Sequence, residues 1–383
     1  MMRAGRLLIV QPWFSAIGHP AQSLFNTLRT LAPVADIDYL VSEDPNFQHH
    51  ANLALALGPG QRLFRFVVSG SALKDNTVRC LWHLARRFRS FREARCVLFF
   101  DMDLVTIAKR WWLLAPLMNV KQLSLLHLSG PEKFPPGGSA RCRVGRLLER
   151  PDVVLCVRTL ELEKDWVAAF PEVDPSRIRT LPTLEIPEGQ DISVRPRARR
   201  ADLRFGVLGQ LRRGKSLDVL VPLFAARPDI GVLKVAGSFA SPAEREALHF
   251  LQEFPDFEER YFDDTELLQL TAAQDYIVVL YDLWDKRMES AVLYLAIRAN
   301  RPILAYSEGW CKRIIQEFGC GVSVVQAGLD LGAFLAALPV PGSVEYTALI
   351  DGVARFRAAH RADVLLPRFV DCVGLHRRRE PRG

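Results

Sequence analysis

The sequence predicts an α/β protein in two halves, each a parallel sheet covered by helices, and three observations carry that expectation. Short continuous apolar runs alternate with amphipathic stretches along the chain, as strands buried on both faces alternate with helices. The alternation stops at a proline-rich, basic, aperiodic stretch over 182–202 and then restarts. A length of 383 residues suits two domains, each large enough for its own core. With 49% hydrophobic and 24% charged residues, the chain is globular rather than disordered or fibrous.

In the first half the apolar run 7–10 predicts a short strand, and 11–19 a loop holding Pro12 and Gly18. Pro20 suits a first helical position, and Leu24, Leu28 and Leu31 follow at helical spacing. Strand, glycine loop and helix in that order open a Rossmann-like domain. Further strands are predicted over 37–41, 63–68, 97–100, 122–126 and 153–157, which closes a domain at 1–181. A linker over 182–202 follows. A second Rossmann-like domain over 203–340 is read from strands at 203–208, 232–236, 259–262, 276–281 and 302–305. Its predicted helices span 242–254, 264–273 and 288–299. The remainder, 341–383, reads as a helical tail whose last residues, HRRREPRG, are solvated.

The formal net charge is +7, from 50 Lys and Arg against 43 Asp and Glu, which points to anionic partners: nucleotides, nucleic acid or acidic lipid. Seven cysteines without CxxC spacing predict reduced core thiols and neither a disulfide frame nor a zinc site. The start has too short an apolar run for a signal peptide, and no run of eighteen apolar residues occurs, so the cytoplasm is the expected location. An anionic membrane surface is an alternative partner, weighed against the plainer reading of an ordinary amphipathic helix with a solvated arginine face. Lys109, Arg110, Trp111, Trp112, Leu113 and Leu114, with Arg86, Arg87, Arg89, Arg92 and Arg95 upstream, form a cation-plus-aromatic mixture suited to such an interface.

The stretch 203–223, LRFGVLGQLRRGKSLDVLVPL, holds the main functional signal. A buried strand leads into a turn with Gly209, Arg212, Arg213, Gly214 and Lys215, and then into an amphipathic helix. Glycines permit the tight turn, the helix start offers unpaired N–H groups, and three cations add full charges. A phosphate or diphosphate fits such a turn, and a solvated basic loop is the alternative.

Two such halves, with a basic turn after the first strand of the second, resemble the GT-B glycosyltransferases, particularly the retaining family 4 type. The resemblance implies two domains facing a cleft and transfer of a sugar from a nucleotide-diphosphate donor. Gly209 and Lys215 stand where the family holds the diphosphate, while Gln210 replaces an arginine and Ser216 a glycine. Arg212 or Arg213 is then the substitute charge. The segment 281–305 resembles the family's next donor-binding stretch, ending in Asn300, Arg301, Pro302 and Ile303, with Glu289 and Ser290 at the helix start. The family's two spaced glutamates are absent: Arg287 and Leu295 stand there. Residues 307–321 resemble the small helix near the donor. In the first domain the resemblance implies that the loop holding Gly18 approaches the donor phosphate and the acceptor, and that His127, at a strand end, bonds the transferring sugar as a catalytic residue; a structural strand-end histidine is the alternative. The implied partners are a nucleotide sugar and a glycan or lipid-linked acceptor, not nucleic acid. The implied setting is cell-envelope or exopolysaccharide synthesis at the inner face of the membrane, with no cofactor and no metal.

Two other classes compete. A GT-B-like protein that binds a nucleotide sugar without transferring it would account for the absent glutamates. Separately, VLFFDMDLVTI over 97–107 matches the opening of a haloacid dehalogenase-type phosphatase, with Asp101 as nucleophile, Asp103 as acid/base and Asp263 with Asp264 as the acidic pair.

Overall fold

The computed structural model describes residues 5–11, 26–43, 60–67, 73–118, 120–186, 202–282, 287–325 and 330–375. They divide into two compact units, Met1–Pro187 with Ala362–Gly383, and Glu188–Arg361.

The first unit is built on a seven-stranded sheet in the order β3-β2-β1-β4-β5-β6-β7, parallel throughout. Its strands are β1 (Arg6–Gln11), β2 (Asp36–Glu43), β3 (Gln61–Val67), β4 (Ala94–Phe100), β5 (Gln122–Leu126), β6 (Val153–Val157) and β7 (Ile178–Thr180). The helices are α1 (26–31), α2 (Leu73–Arg86), α3 (Phe88–Phe91), α4 (Leu104–Met118), α5 (Ser139–Leu148) and α6 (Leu160–Ala169). All five residues of β6 are buried, the signature of a strand covered on both faces. Strand order reverses between β1 and β4, so the carboxyl ends there form a switch point, where open α/β sheets bind ligands. Helices α2, α4 and α5 pack side by side, and Trp111 of α4 meets Phe99 of β4 edge-on at 5.5 Å.

The second unit repeats the plan with six parallel strands in the order β10-β9-β8-β11-β12-β13. These are β8 (Arg204–Leu208), β9 (Val232–Gly237), β10 (Phe257–Glu259), β11 (Tyr276–Val279), β12 (Ile303–Tyr306) and β13 (Gly321–Val324). Helices α7 (Leu217–Ala226), α8 (Pro242–Ala247), α9 (Asp264–Ala272), α10 (Ala291–Arg298), α11 (Gly309–Phe318), α12 (Leu331–Ala336) and α13 (Val344–Ala359) complete it. Leu217, Leu220, Val221 and Phe224 of α7 are buried against Phe205, Val207 and Val235, which explains the helical spacing in the sequence. The switch point lies between β8 and β11.

Four expectations change. The strand expected at 259–262 lies at Phe257–Glu259, because Asp263 and Glu266 form a capping box that starts α9 and Phe262 turns into the interior. The helix expected over 242–254 breaks after α8 into a 3₁₀ turn, His249–Glu253, where the buried Leu248 and Leu251 share one face at three-residue spacing. The tail is shared between units. α13 packs in the second, whereas α14 (Ala362–Cys372) returns to the first, burying Phe369, Cys372 and Val373 with Leu7, Ile9, Leu28 and Leu31. Within the expected linker, Leu184 and Ile186 are also core residues of the first unit, and the Ala362 N–H donates to Ile186 O at 2.8 Å. The rest of that linker before residue 202 lies outside the described residues, as does Gly18. Of the seven cysteines, all free, five are buried, whereas Cys142 is exposed and Cys311 half-buried.

Candidate functional site

The turn after β8 sits at the switch point of the second sheet. Gly209 has φ +85 and Gly214 φ +86, a region that favours residues without Cβ. The turn is fastened to the end of β9: Gly209 N–H donates to Ala236 O at 2.9 Å, and Leu211 N–H to Ser238 O at 2.8 Å. Gly237 lets this happen, since a Cβ there would fall 1.6 Å from Gly209 O. Ser216, where the resemblance has a glycine, takes φ +51 and bonds through its hydroxyl to Leu280 O and Tyr306 OH, both at 3.0 Å. The turn is thus pinned to the ends of β11 and β12.

Lys215 is only 4% exposed. Its Nζ donates to Leu208 O at 3.0 Å and lies 5.8 Å from the Tyr281 ring centre. Burial, and then the charge of Arg212, bring its pKa down to about 7. The pKa of Arg212 is itself lowered by burial, with Tyr281 and Glu244 acting the other way. Two cations held close together with little solvent make a site that favours an anion. Arg213 goes elsewhere: exposed, it reaches Glu244 of α8 with its guanidinium at 3.4 Å, and its N–H donates to the same carboxylate. Of the two candidate substitute charges, the fold therefore groups Arg212 with Lys215.

Glu289 and Ser290 precede α10. Ser290 is buried, occupies the N-cap without capping, and donates to Tyr281 OH at 3.4 Å. Glu289 accepts from Tyr294 OH at 3.1 Å. Burial pushes the Tyr281 phenol up to about 12, against Ser290 and Arg212, which lower it. Ser290, Tyr281, Met288, Tyr306, Glu308 and Cys311 line a pocket of about 30 Å³. Tyr281, Tyr306 and Glu308 are residues that sequence reasoning missed. Their one signal is position: Tyr281 and Tyr306 each end an apolar run, where a polar aromatic reads as core. At its C-terminal end α10 turns through Asn300 at φ +56, as its glycine-like position predicts.

In the first unit, β5 delivers His127 to the carboxyl edge of the sheet. It is 5% exposed, its N–H donates to Cys156 O, and neither ring nitrogen has a hydrogen-bond partner. Trp166 and Phe134 stand 5.6 and 6.4 Å from its ring centre. Burial, and then Lys133, bring its pKa down to about 4, with Asp103 and Glu132 opposing, so the imidazole is neutral. Asp101, at φ +44, lies 3.8 Å from His127 Nδ1, and burial raises its carboxyl pKa against the Leu128 N–H and Lys133. A neutral imidazole with an unpaired donor and an unpaired acceptor has the chemistry to bond a hydroxyl group.

The acids of the phosphatase reading serve other ends. Asp103 accepts from Thr106 N–H at 2.7 Å and caps α4. Asp263 caps α9, and Asp264 holds Arg298 at 2.9 and 2.7 Å, both in the other unit from Asp101. Among the described residues, no group of three or more His, Cys, Asp or Glu is placed to hold a metal ion. None of their helices is long and apolar enough to cross a membrane.

The architecture has counterparts among solved structures. HepE of Anabaena, in complex with UDP and glucose, has a TM-score of 0.66 at 14% identity, over 97% of this chain and 99% of its own. WaaG, a glycosyltransferase involved in lipopolysaccharide biosynthesis, has 0.60 at 14%, over 96% and 99%. An E. coli trehalose-6-phosphate protein bound with UDP-2-fluoro glucose has 0.69 at 12%, over 96% and 98%. No family model and no curated protein matches the chain. The chain has the two-domain, Rossmann-like GT-B fold.

Proposed function

We propose that this GT-B chain is a glycosyltransferase that moves a hexosyl group from a nucleotide-diphosphate sugar to a glycan or lipid-linked acceptor. One observation carries the reading: at the switch point of the second sheet, Lys215 and Arg212 are held together in a glycine turn, with little competing solvent. Negative charge growing on the diphosphate as the glycosidic bond breaks is stabilised by such fixed cations, so the reaction is proposed to need no metal. Glu289 and Ser290 are proposed for the hydroxyls of the donor, and His127 of the first unit for the sugar being transferred. Retention at the anomeric carbon, and work in cell-envelope or exopolysaccharide assembly at the inner face of the membrane, belong to the same proposal. The lipopolysaccharide role of WaaG supports the setting.

The test is a thermal-shift screen with UDP, GDP and ADP sugars, since a ligand that binds the folded state raises the melting temperature. A shift from one nucleotide class, lost in Lys215→Ala, supports the donor site. Unchanged binding in Lys215→Ala removes it. A second reading, a binder that transfers nothing, is favoured by Arg287 and Leu295 in place of the paired glutamates. Release of free nucleotide from a donor that shifts the melting temperature, matched by sugar joined to an added acceptor and undiminished by EDTA, decides for the metal-free transferase.

A further inference from the structure

The outer layer of the first unit carries a feature that the donor site does not use. Helices α4 and α5 pack against each other and contribute Lys109, Arg110, Arg141, Arg143 and Arg146, with no carboxylate on either helix. Arg141 is occupied, bound to Ala169 O with its guanidinium 4.5 Å over Phe170. Lys109, Arg143 and Arg146 instead line a groove of about 380 Å³ together with Trp111, Trp112 and Arg150. Arg150 is neutralised by Asp152 at 3.0 Å. Trp111 is buried, and its indole N–H has no acceptor. The groove therefore presents the cations Lys109, Arg143 and Arg146, and its chemistry calls for an anion.

The rim is apolar. Trp112, Leu113 and Leu117 of α4 are 60%, 53% and 47% exposed, directly after Lys109 and Arg110 on the same outer side. Neighbouring α2 adds the exposed Trp82, with the Arg86 guanidinium 4.5 Å over its ring. A face that only met water would gain nothing from showing these large side chains to it. Cations beside exposed tryptophan and leucine suit the headgroup boundary of an anionic bilayer, where the rings enter the interface and the charges meet phosphate.

We propose that the outer face of α4 and α5 docks on anionic phospholipid, with Trp112, Leu113 and Leu117 entering the interface and a lipid phosphate held in the groove by Lys109, Arg143 and Arg146. The inference deepens the membrane setting of the proposed function and rests on it. The experiment is vesicle flotation of the full chain, with phosphatidylcholine alone or with added phosphatidylglycerol. Two variants accompany it, Arg143→Glu with Arg146→Glu, and Trp112→Ser with Leu113→Ser, each also measured for melting temperature and UDP-induced shift. The wild type is expected to float with the anionic vesicles only, less so in high salt. Reversing two cations should weaken binding by more than about tenfold, at roughly fivefold for each cation lost. The serine pair should weaken it as well, with the melting temperature and UDP shift of both variants kept. Wild-type protein that ignores anionic vesicles, or binds both compositions equally, overturns the proposal. So does a charge-reversed protein that floats like the wild type. If the UDP shift persists in a protein that ignores the vesicles, the surface fails and the donor site stands. If the vesicles bind but no nucleotide shifts the melting temperature, the donor site fails and the surface stands.

Discussion

Lys215 holds its ammonium against one carbonyl, and burial followed by Arg212 brings its pKa down to about 7. A diphosphate favours the protonated amine, so above pH 7 nucleotide binding must take up a proton. Affinity for the nucleoside diphosphate of the proposed donor should then fall as pH rises from about 7 toward the ordinary lysine value, by up to roughly tenfold per pH unit. Calorimetry in buffers of different ionisation heat reads the proton directly, and Lys215→Ala should bind weakly with a flat profile. A flat wild-type profile would take Lys215 out of the site. His127 gives the opposite test. Its pKa is lowered from 6.5 to about 4 by burial and then Lys133, against Asp103 and Glu132. The unfolded chain takes up a proton that the folded one refuses, so stability is intact above pH 6.5 and is lost as pH falls toward 4. The loss is on the order of 3 kcal/mol at the lower end. Urea midpoints measured across that range should fall less steeply in His127→Gln. Lys215 was legible in the sequence because its turn is contiguous. Tyr281 and Tyr306 were not, because they reach the site from the ends of two other strands, and only the fold puts them beside Ser216 and Ser290.

The fastening of the turn to β9 is a property of elements. Gly209 and Gly237 are separated by a helix and a strand, yet a Cβ on Gly237 would strike Gly209 O. Gly237→Ala should therefore push the turn away from β9, cost on the order of 3 kcal/mol, and abolish the melting-temperature shift expected from the proposed nucleotide. Gly209→Ala is the control: its Cβ would meet only Val292 at 4.0 Å, so the penalty is the left-handed backbone, about 1–2 kcal/mol. Chemical denaturation of both variants separates the two causes. A Gly237→Ala protein with wild-type stability and nucleotide binding would show that the turn does not depend on this contact. At this scale the continuous apolar runs of the inner strands were legible, since burial on both faces demands them. The edge strand β10 was not. It pairs on one side only, with β9, and the stronger aromatic signal at Tyr261 and Phe262 belongs to the approach to α9.

The whole molecule passes between its units twice, after Pro187 and after Arg361, because α14 returns to the sheet that the chain began with. Periodicity alone could mark this segment as helical but could not say which core its apolar side fills. The answer lies in Leu7, Ile9, Leu28 and Leu31, which surround Phe369, Cys372 and Val373 in one cluster. Gln122 Nε2 adds a bond to Cys372 O at 2.7 Å, so α14 is tied to β5, the strand that carries His127. The consequence is selective. Phe369, 1% exposed, should cost on the order of 3–5 kcal/mol when changed to alanine, and the cost should fall on the first unit. Limited proteolysis of Phe369→Ala near its melting range should release fragments from the first unit while 202–361 survives, and the nucleotide of the proposed donor should still protect the survivor. Simultaneous loss of both units would mean that α14 stabilises the chain as a single cooperative body, and equal survival would mean that its apolar face contributes little to the core it fills.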